Sequence, residues 1–399
     1  MYFQALDDKS ECIGVYTGGK LHFDQIPDGL ERTWKYTGSI EGNNIQYAWI
    51  WSGGLSLQEA CPENLQGKLE KSVRKMNAFY KSFKIAKLDF SQHCLFDLIP
   101  HDALLEFCDI KNKITEYIFE EMSPTSNYTF LSRVESMLYD IRMRGLNLDH
   151  SDCKKLFTST NSRIGLQKIL EGSDQIHYNI FGTVTGRLTT FPGSFPILTM
   201  KKDFRQIIKP HNDWFVSLDY NGAEARTVLA LLGEEQPPED VHNWNIDNIF
   251  DLDSFEKPIT RDQAKTLFFG WLYNPDSTIF QKNIYDRERL IKENYKDGHV
   301  QTVFDRNIPV VERKAFNYLI QSTTSDLVLD RALALNKFLK KTDSFISHVV
   351  HDELVIDLKD SDRHLLPEMK AVFAKNRLAT YEVNVQAGKD YFNLQELKI

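Results

Sequence analysis

The sequence predicts a mixed α/β chain of the α+β class, folded as two or three domains. Length and composition bound it: 399 residues, 42% hydrophobic and 26% charged, are too many for one small core and ordinary for a globular protein. Short β-branched and aromatic runs bounded by Gly read as strands, while long stretches with helical apolar spacing read as helices. No apolar run approaches the roughly 18 residues needed to cross a bilayer.

Residues 1 to about 120 open with strand-like CIGVY, KLHF and IQYAWIW, separated by turns at Thr17-Gly18-Gly19 and Ser52-Gly53-Gly54. Helices follow near 65–84 and 101–121. The break at Ser123-Pro124-Thr125-Ser126-Asn127 is the best domain boundary, and an amphipathic helix, FLSRVESMLYDIRMRG, ends at Gly145. Further on, Trp214 to Leu218 is apolar enough for a buried strand with Asp219 at its end. Asn221 is placed to cap a helix running to Gly233, which Pro237-Pro238 stops. Thr260 and Gln263 form the T-x-x-Q pattern of a capping box at the head of another helix. Two last apolar runs, Phe345 to Val350 and Leu354 to Ile356, flank His351-Asp352-Glu353. They read as a hairpin with two adjacent acids at its tip.

Several classes lose support at once. The start, MYFQALDDKSE, has no basic residues followed by an apolar stretch, so it does not read as a signal peptide and a cytoplasmic protein is expected. The five cysteines (Cys12, Cys61, Cys94, Cys108 and Cys153) are odd in number and form no CxxC pair, which suggests neither a disulfide framework nor a zinc site. Neither GxxxxGK[ST] nor GxGxxG occurs. The net charge of −8 weighs against a polyanionic partner. A cleft can nevertheless be basic inside an acidic surface, and carboxylates that hold cations count as negative until the cations bind.

Four segments carry chemistry. Asp219, at the end of a buried strand and aimed into a cleft, is a good metal ligand, although such an acid alone is more often a turn or cap residue. Arg261, Lys265, Phe269 and Tyr273 recur every four residues, a slowly rotating stripe with the two cations about 6 Å apart along the axis. That suits neighbouring phosphates, with the helix N-terminus adding positive potential; the bland alternative is a solvated face followed by core aromatics. Asp352 and Glu353 become interesting if Asp219 approaches, because unscreened like charges repel and a cation relieves them. Arg313, Asn317 and Gln321 share one face of a helix and offer donors to minor-groove acceptors, or are simply a polar face.

In this order the segments resemble family A DNA polymerases, the bacterial polymerase I group. DYNGAEAR (219–226) resembles motif A, usually DYSQIELR. Arg261, Lys265, Phe269, Gly270 and Tyr273 match motif B, Rx3Kx3FGx2Y, and residues 351–353 match the HDE of motif C. TGRLTT (185–190) is similar to TGRLSS, and ERKAFNYLIQSTTSDL to ERxAxNxxxQGTAADL. The likeness spans roughly residues 125–399. It implies a right-hand polymerase at 123–399: a short thumb (about 125–176), palm (about 177–235 and 312–399) and fingers (about 236–311). It implies template-directed extension of a primer 3′ end with dNTPs, using two Mg²⁺ ions for which Mn²⁺ can substitute. Asp219, Asp352 and the Tyr220 carbonyl would be the ligands, Glu353 an auxiliary acid near the primer end. Arg261, Lys265 and His242 would contact the triphosphate, and Lys265 could protonate the departing pyrophosphate. Phe269 would stack on the incoming nucleotide and Tyr273 guard the template position. Glu224 would block a 2′-hydroxyl, or else act only as the back-bonding member of a cap with Asn221. Arg187, Arg205, Arg313, Asn317, Gln321 and His351 would contact the primer-template duplex.

Departures from the pattern are also visible. Gly222-Ala223 replaces bulkier residues in motif A, which suggests a looser pocket floor. Phe268, Asn274 and Ser322 replace Asn, Gly and Gly. Residues 1–122 are expected to be a reduced, RNase H-like 3′–5′ exonuclease domain without activity. LLEFCDIKNKIT resembles that domain's YxxxD motif but carries Phe107 and Lys111, and YFQALDD offers no clear DxE. Proofreading, and a processivity factor, would then come from separate proteins, and the compact layout suggests phage replication in a bacterial host cytoplasm. Rival readings are a single-subunit RNA polymerase, a nuclease, and a non-catalytic primer-template binding subunit of a split replicase.

Overall fold

A computed structural model describes residues 1–9, 12–23, 25–38, 40, 44–88, 93–151, 156, 159–250, 258–277, 279 and 284–399. Internal contacts divide the chain into two units, Met1–Tyr139 and Asp140–Ile399.

In Met1–Tyr139, β1 (Gln4–Lys9), β2 (Cys12–Thr17) and β3 (Lys20–Phe23) form an antiparallel sheet in that order. Gly18 and Gly19 make the β2–β3 turn with φ of 57° and 80°, a region that L side chains rarely enter. Helix α1 (Glu63–Ile85) buries Leu69, Ser72 and Met76, and α2 (His101–Glu121) buries Leu104, Cys108, Ile110 and Ile114. Met76, Leu104 and Ile99 form a core cluster with Phe79, Phe83 and Phe107. IQYAWIW is not one strand: only Gln46–Tyr47 is extended, and Ala48–Trp51 turns into a short helix that buries Ala48, Trp49 and Ile50. Its run of apolar residues served one helical turn rather than the two faces of a strand. Cys12 and Cys94 are joined by a disulfide. The sequence did not suggest this because 82 residues separate them. Cys61 and Cys108 are buried thiols, and Cys153 lies outside the described residues. Helix α3 (Tyr128–Arg144) runs across the division and stops at Gly145, φ 66°.

In Asp140–Ile399, α4 (Thr160–Leu170) is capped by the Ser159 hydroxyl, which accepts from Ser162 N–H. The centre is a five-stranded antiparallel sheet. Its middle strand is β4 (Trp214–Tyr220), followed by α5 (Ala223–Leu232), α6 (Val241–Asn248), α7 (Arg261–Tyr273) and α8 (Arg287–Asn294). The 28-residue α9 (Glu312–Leu339) leads to β5 (Phe345–Val350) and β6 (Glu353–Leu358), then α10 (Leu366–Ala374), β7 (Val383–Gly388) and β8 (Gln395–Glu396). The strand order is β5-β6-β4-β7-β8. Being central, β4 buries Phe215, Val216, Ser217 and Leu218 in succession. A second layer packs Val228, Leu229, Phe268, Trp271, Tyr285, Phe316 and Leu319 from three of the helices and the segment before α8. The expected capping box closes: Thr260 Oγ1 accepts from Gln263 N–H (3.4 Å) and Gln263 Oε1 from Thr260 N–H (2.9 Å). The expected cap at Asn221 does not form. Gly222 (φ 64°) is the N-cap, because Asn221 Oδ1 instead accepts from Val241 N–H at 2.9 Å.

Candidate active site

The register of the sheet gathers the acids. Asp219 lies opposite Glu353 on β6 and opposite Asn384 on β7. His351 and Asp352 form the two-residue β5–β6 turn, with His351 at φ 56°. Asp352 alone is therefore the acid at the tip, while Glu353 opens β6. Glu353 is held back from the cleft: Ser217 Oγ donates to its Oε1 (2.6 Å) and Tyr391 Oη to its Oε2 (2.7 Å).

A pocket of about 390 Å³ opens over these strands. It is lined by Asp219, Tyr220, Glu224 and His242, by Arg261, Lys265, Phe269 and Tyr273 of α7, by Arg187 and Gln321, and by His351 and Asp352. Stretches separated by more than a hundred residues thus converge on one cavity. Burial, followed by the charges of Asp352 and Glu353, pushes the Asp219 carboxyl up to about 7, against a hydrogen bond with Asn384 and the pull of Lys265. A divalent cation would relieve such mutual repulsion, and the carboxylates of Asp219 and Asp352 fit the oxygen-donor chemistry of such an ion. Tyr220 lines the pocket, while its ring stacks on Phe373 and its hydroxyl donates to the Phe373 carbonyl at 2.6 Å.

On the opposite wall, Arg261 makes two bonds to Asp240 Oδ2 (2.7 and 2.9 Å). Although burial acts to raise it, the bonds from Arg261 and Asn221 hold Asp240 down at about 2. His242 is buried beside it with both ring nitrogens lacking a protein partner, and burial lowers it to about 4. A neutral imidazole with unmet hydrogen-bonding capacity thus lines the pocket. Phe269 and Tyr273 stack at 6.0 Å between centroids and 13° between planes.

Glu224 is not a capping residue. Its carboxylate pairs with the Arg187 guanidinium and accepts from Tyr273 Oη, which lies 3.3 Å from both carboxylate oxygens. Burial raises its pKa, opposed by Arg187 and Tyr273. The pocket floor is not loose where motif A is small: a Cβ on Gly222 would meet Val241 Cγ1 at 2.3 Å, so Val241 already fills the space of the missing side chain.

Three expected duplex contacts lie elsewhere. Arg313 and Asn317 line a separate groove of about 1250 Å³ with Tyr285, Arg287 and Phe316, on the other side of Tyr273 from Gln321. Arg313 pairs there with Asp276 at 2.6 Å. Arg205 sits over the Tyr391 ring, 4.6 Å from its centroid, behind Glu353. Residues that sequence reasoning missed include Asn384, Asp240 and Ser325, the last donating to the Gly186 carbonyl next to Arg187 (3.1 Å). No local pattern marks Asn384; only strand register brings it to Asp219.

Comparison with known proteins shows a homology. The "DNA polymerase I, thermostable" of Thermus filiformis is 25% identical over 55% of this chain and 32% of its own length, and that of Thermus aquaticus is 25% identical over the same shares. The chain is a homologue of the polymerase I, family A enzymes. The aligned region spans about a third of the length of these curated relatives. No protein-family model matches the chain. The POL domain of Pol1 from M. smegmatis, solved in complex with DNA primer-template and dNTP, superimposes with a TM-score of 0.60 and 14% identity, covering 75% of this chain and 77% of that one. The mixed α/β architecture is therefore that of a family A polymerase domain, and no helix among the described residues is long and apolar enough to cross a membrane.

Proposed function

We propose that this chain is a DNA-directed DNA polymerase that extends a primer 3′ end on a DNA template with dNTPs. The observation that carries the reading is the convergence of Asp219 and Asp352 with Arg261, Lys265, Phe269 and Tyr273 on one pocket of a chain homologous to polymerase I. Asp219, Asp352 and the Tyr220 carbonyl would hold two Mg²⁺ ions, which supply Lewis-acid stabilisation of the attacking and leaving oxygens. Arg261, Lys265 and His242 bind and orient the triphosphate. Lys265 is the proton donor for the departing pyrophosphate, Phe269 stacks on the incoming base, and Glu224 excludes a 2′-hydroxyl. Arg187, Gln321 and His351 contact the primer-terminal pair.

The N-terminal unit is read as an exonuclease-like remnant without proofreading. Gln4 on β1 is buried and donates to Asn112 (2.9 Å) and Thr115 (3.2 Å) of α2, a contact built from amides and a hydroxyl. On α2, Lys111 Nζ lies over the Phe107 ring at 5.7 Å, occupying the expected YxxxD position with a cation.

The test is primer extension with Mg²⁺ and either dNTPs or rNTPs, comparing wild type with Asp352→Ala. Template-directed dNTP extension that is lost in the variant is expected. Preferential rNTP use would make the chain an RNA polymerase, and a bound but unextended primer would make it a binding subunit.

A further inference from the structure

In Met1–Tyr139, three donor groups from separate stretches of the chain meet at one place. Asp7 of β1, Cys12 of β2 and Cys94 present a carboxylate oxygen and two sulfurs, all within 4.8 Å of one another. Asp7 is buried and both cysteines are half-buried. Strand register explains the meeting: Asp7 lies opposite Gly14, and Cys12 is two residues from Gly14 on the same face of β2. The Phe96 ring fills the space of a Gly14 side chain, 2.9 Å from where a Cβ would stand. Phe96 also packs on Phe23 of β3, 4.3 Å between centroids, and Asp7 Oδ2 accepts from Leu95 N–H at 2.8 Å. The chain around Cys94 is thus pinned to the sheet by packing and by Asp7 as well as by sulfur. Opening the disulfide leaves two thiols together beside a carboxylate.

We propose that, once reduced, Cys12 and Cys94 bind Zn²⁺ together with Asp7. Two thiolates and a carboxylate form a largely soft, anionic set that suits this ion and leaves its fourth tetrahedral position to water. At Zn–S lengths of about 2.3 Å, tetrahedral sulfurs stand about 3.8 Å apart. The Cα atoms of the two cysteines are 6.4 Å apart, in the wide part of the roughly 4.4–6.8 Å that a disulfide spans. Side-chain rotation therefore separates the sulfurs far enough with the backbone in place. The Leu95 N–H is the outer partner that orients a ligating carboxylate. A carboxylate buried against the sulfurs costs desolvation, which a bound cation offsets. A dithiol reductant exchanges with the Cys12–Cys94 bond and leaves as its own cyclic disulfide, while each cysteine sulfur takes one of its protons. Zn²⁺ then displaces those two protons to solvent as the thiolates ligate it. The site is independent of the polymerase pocket, whose lining residues all belong to the other unit.

The experiment titrates Co²⁺ into the full chain, first as the disulfide and then after reduction with a phosphine that is removed under argon. Thiolate ligands give Co²⁺ a near-ultraviolet charge-transfer band that carboxylate-bound Co²⁺, at Asp219 and Asp352 for instance, does not show. Reduced wild type should gain this band with the strong visible bands of tetrahedral Co²⁺, saturating at one ion per chain, and Zn²⁺ should abolish it. The disulfide form, Cys12→Ser and Cys94→Ser should not gain it. Asp7→Asn should weaken Zn²⁺ binding by at least about tenfold in competition with a chromophoric chelator. Absence of the band in reduced wild type overturns the proposal whatever the variants do. So does a band that survives in Cys12→Ser, folded by circular dichroism, and so does unchanged Zn²⁺ affinity in folded Asp7→Asn. Where a variant fails to fold, alkylation of reduced wild type with and without Zn²⁺, mapped by mass spectrometry, decides. Zn²⁺ should protect Cys12 and Cys94 selectively, and equal labelling in both conditions overturns the site.

Discussion

At the scale of single residues, the site is governed by where carboxylates are allowed to be charged. Glu224 is buried and shared between Arg187 and Tyr273, so it is a rigid wall rather than a mobile acid. Glu224→Ala should therefore open space beside the sugar, and the dNTP/rNTP ratio of kcat/KM should fall about 10–200-fold, the range that one lost packing group supplies. An unchanged ratio would remove Glu224 from sugar selection. Asp219 poses the opposite case, a group kept for function at a cost in stability. Its charge is disfavoured by burial and by two neighbouring acids. Asp219→Asn should thus melt above wild type in EDTA, by about 2–4 °C for each kcal/mol of repulsion relieved, and Mg²⁺ should raise the melting point of wild type more than that of the variant. A variant no more stable than wild type in EDTA would mean that the acids do not repel as argued.

Elements decide where those residues point, and here the sequence was only partly legible. Strand β4, the β5–β6 hairpin and the head of α7 were readable because each is written in a local pattern: an apolar run ending in Asp219, two apolar runs around a polar turn, a T-x-x-Q cap. What joins elements was not readable, since it depends on partners distant in the chain. Val241 behind Gly222, Tyr391 holding Glu353, and the disulfide of Cys12 are all of this kind. The support beneath Arg187 is the most consequential. Gly186, at φ 76°, lies over the Arg306 guanidinium, and a Cβ there would come within 2.5 Å of it. Arg306 in turn makes two bonds to the fully buried Asp326 of α9, at 2.8 and 2.9 Å. Arg306→Met leaves a buried carboxylate unpaired and should cost about 3–5 kcal/mol. Adding Asp326→Leu should recover much of that stability in denaturant melts, yet leave KM for primer-template raised, because the turn that aims Arg187 has lost its platform. Recovery of both stability and KM in the double variant would reduce the ion pair to a packing feature.

On the scale of the whole molecule, the buried histidines set how the fold responds to acid. His348 on β5 is fully buried, with Ser347 Oγ 2.9 Å from its Nδ1 and the rings of Phe215 and Tyr391 around it. Burial, reinforced by the charge of Arg205, lowers it to about 3. Its folded pKa lies below that of the unfolded chain, so the unfolded state binds the extra proton first. The stability tied to neutral His348 is complete above the unfolded value of about 6.5 and is lost progressively as pH falls from there toward 3. At pH 5 the loss reaches about 2 kcal/mol, or about 4–8 °C in melting temperature for a unit of this size. His242 acts with the same sign, whereas the raised carboxyls of Asp219 and Glu224 act with the opposite one. All three remain in His348→Gln, so the difference between the two proteins isolates His348. Melting temperature followed from pH 7.5 to 5 should drop by about 4–8 °C more in wild type than in the variant, whatever the variant's absolute stability. Parallel curves would mean that His348 accepts its proton without disturbing the fold, and that the sheet under the acids is less tightly closed than its packing implies.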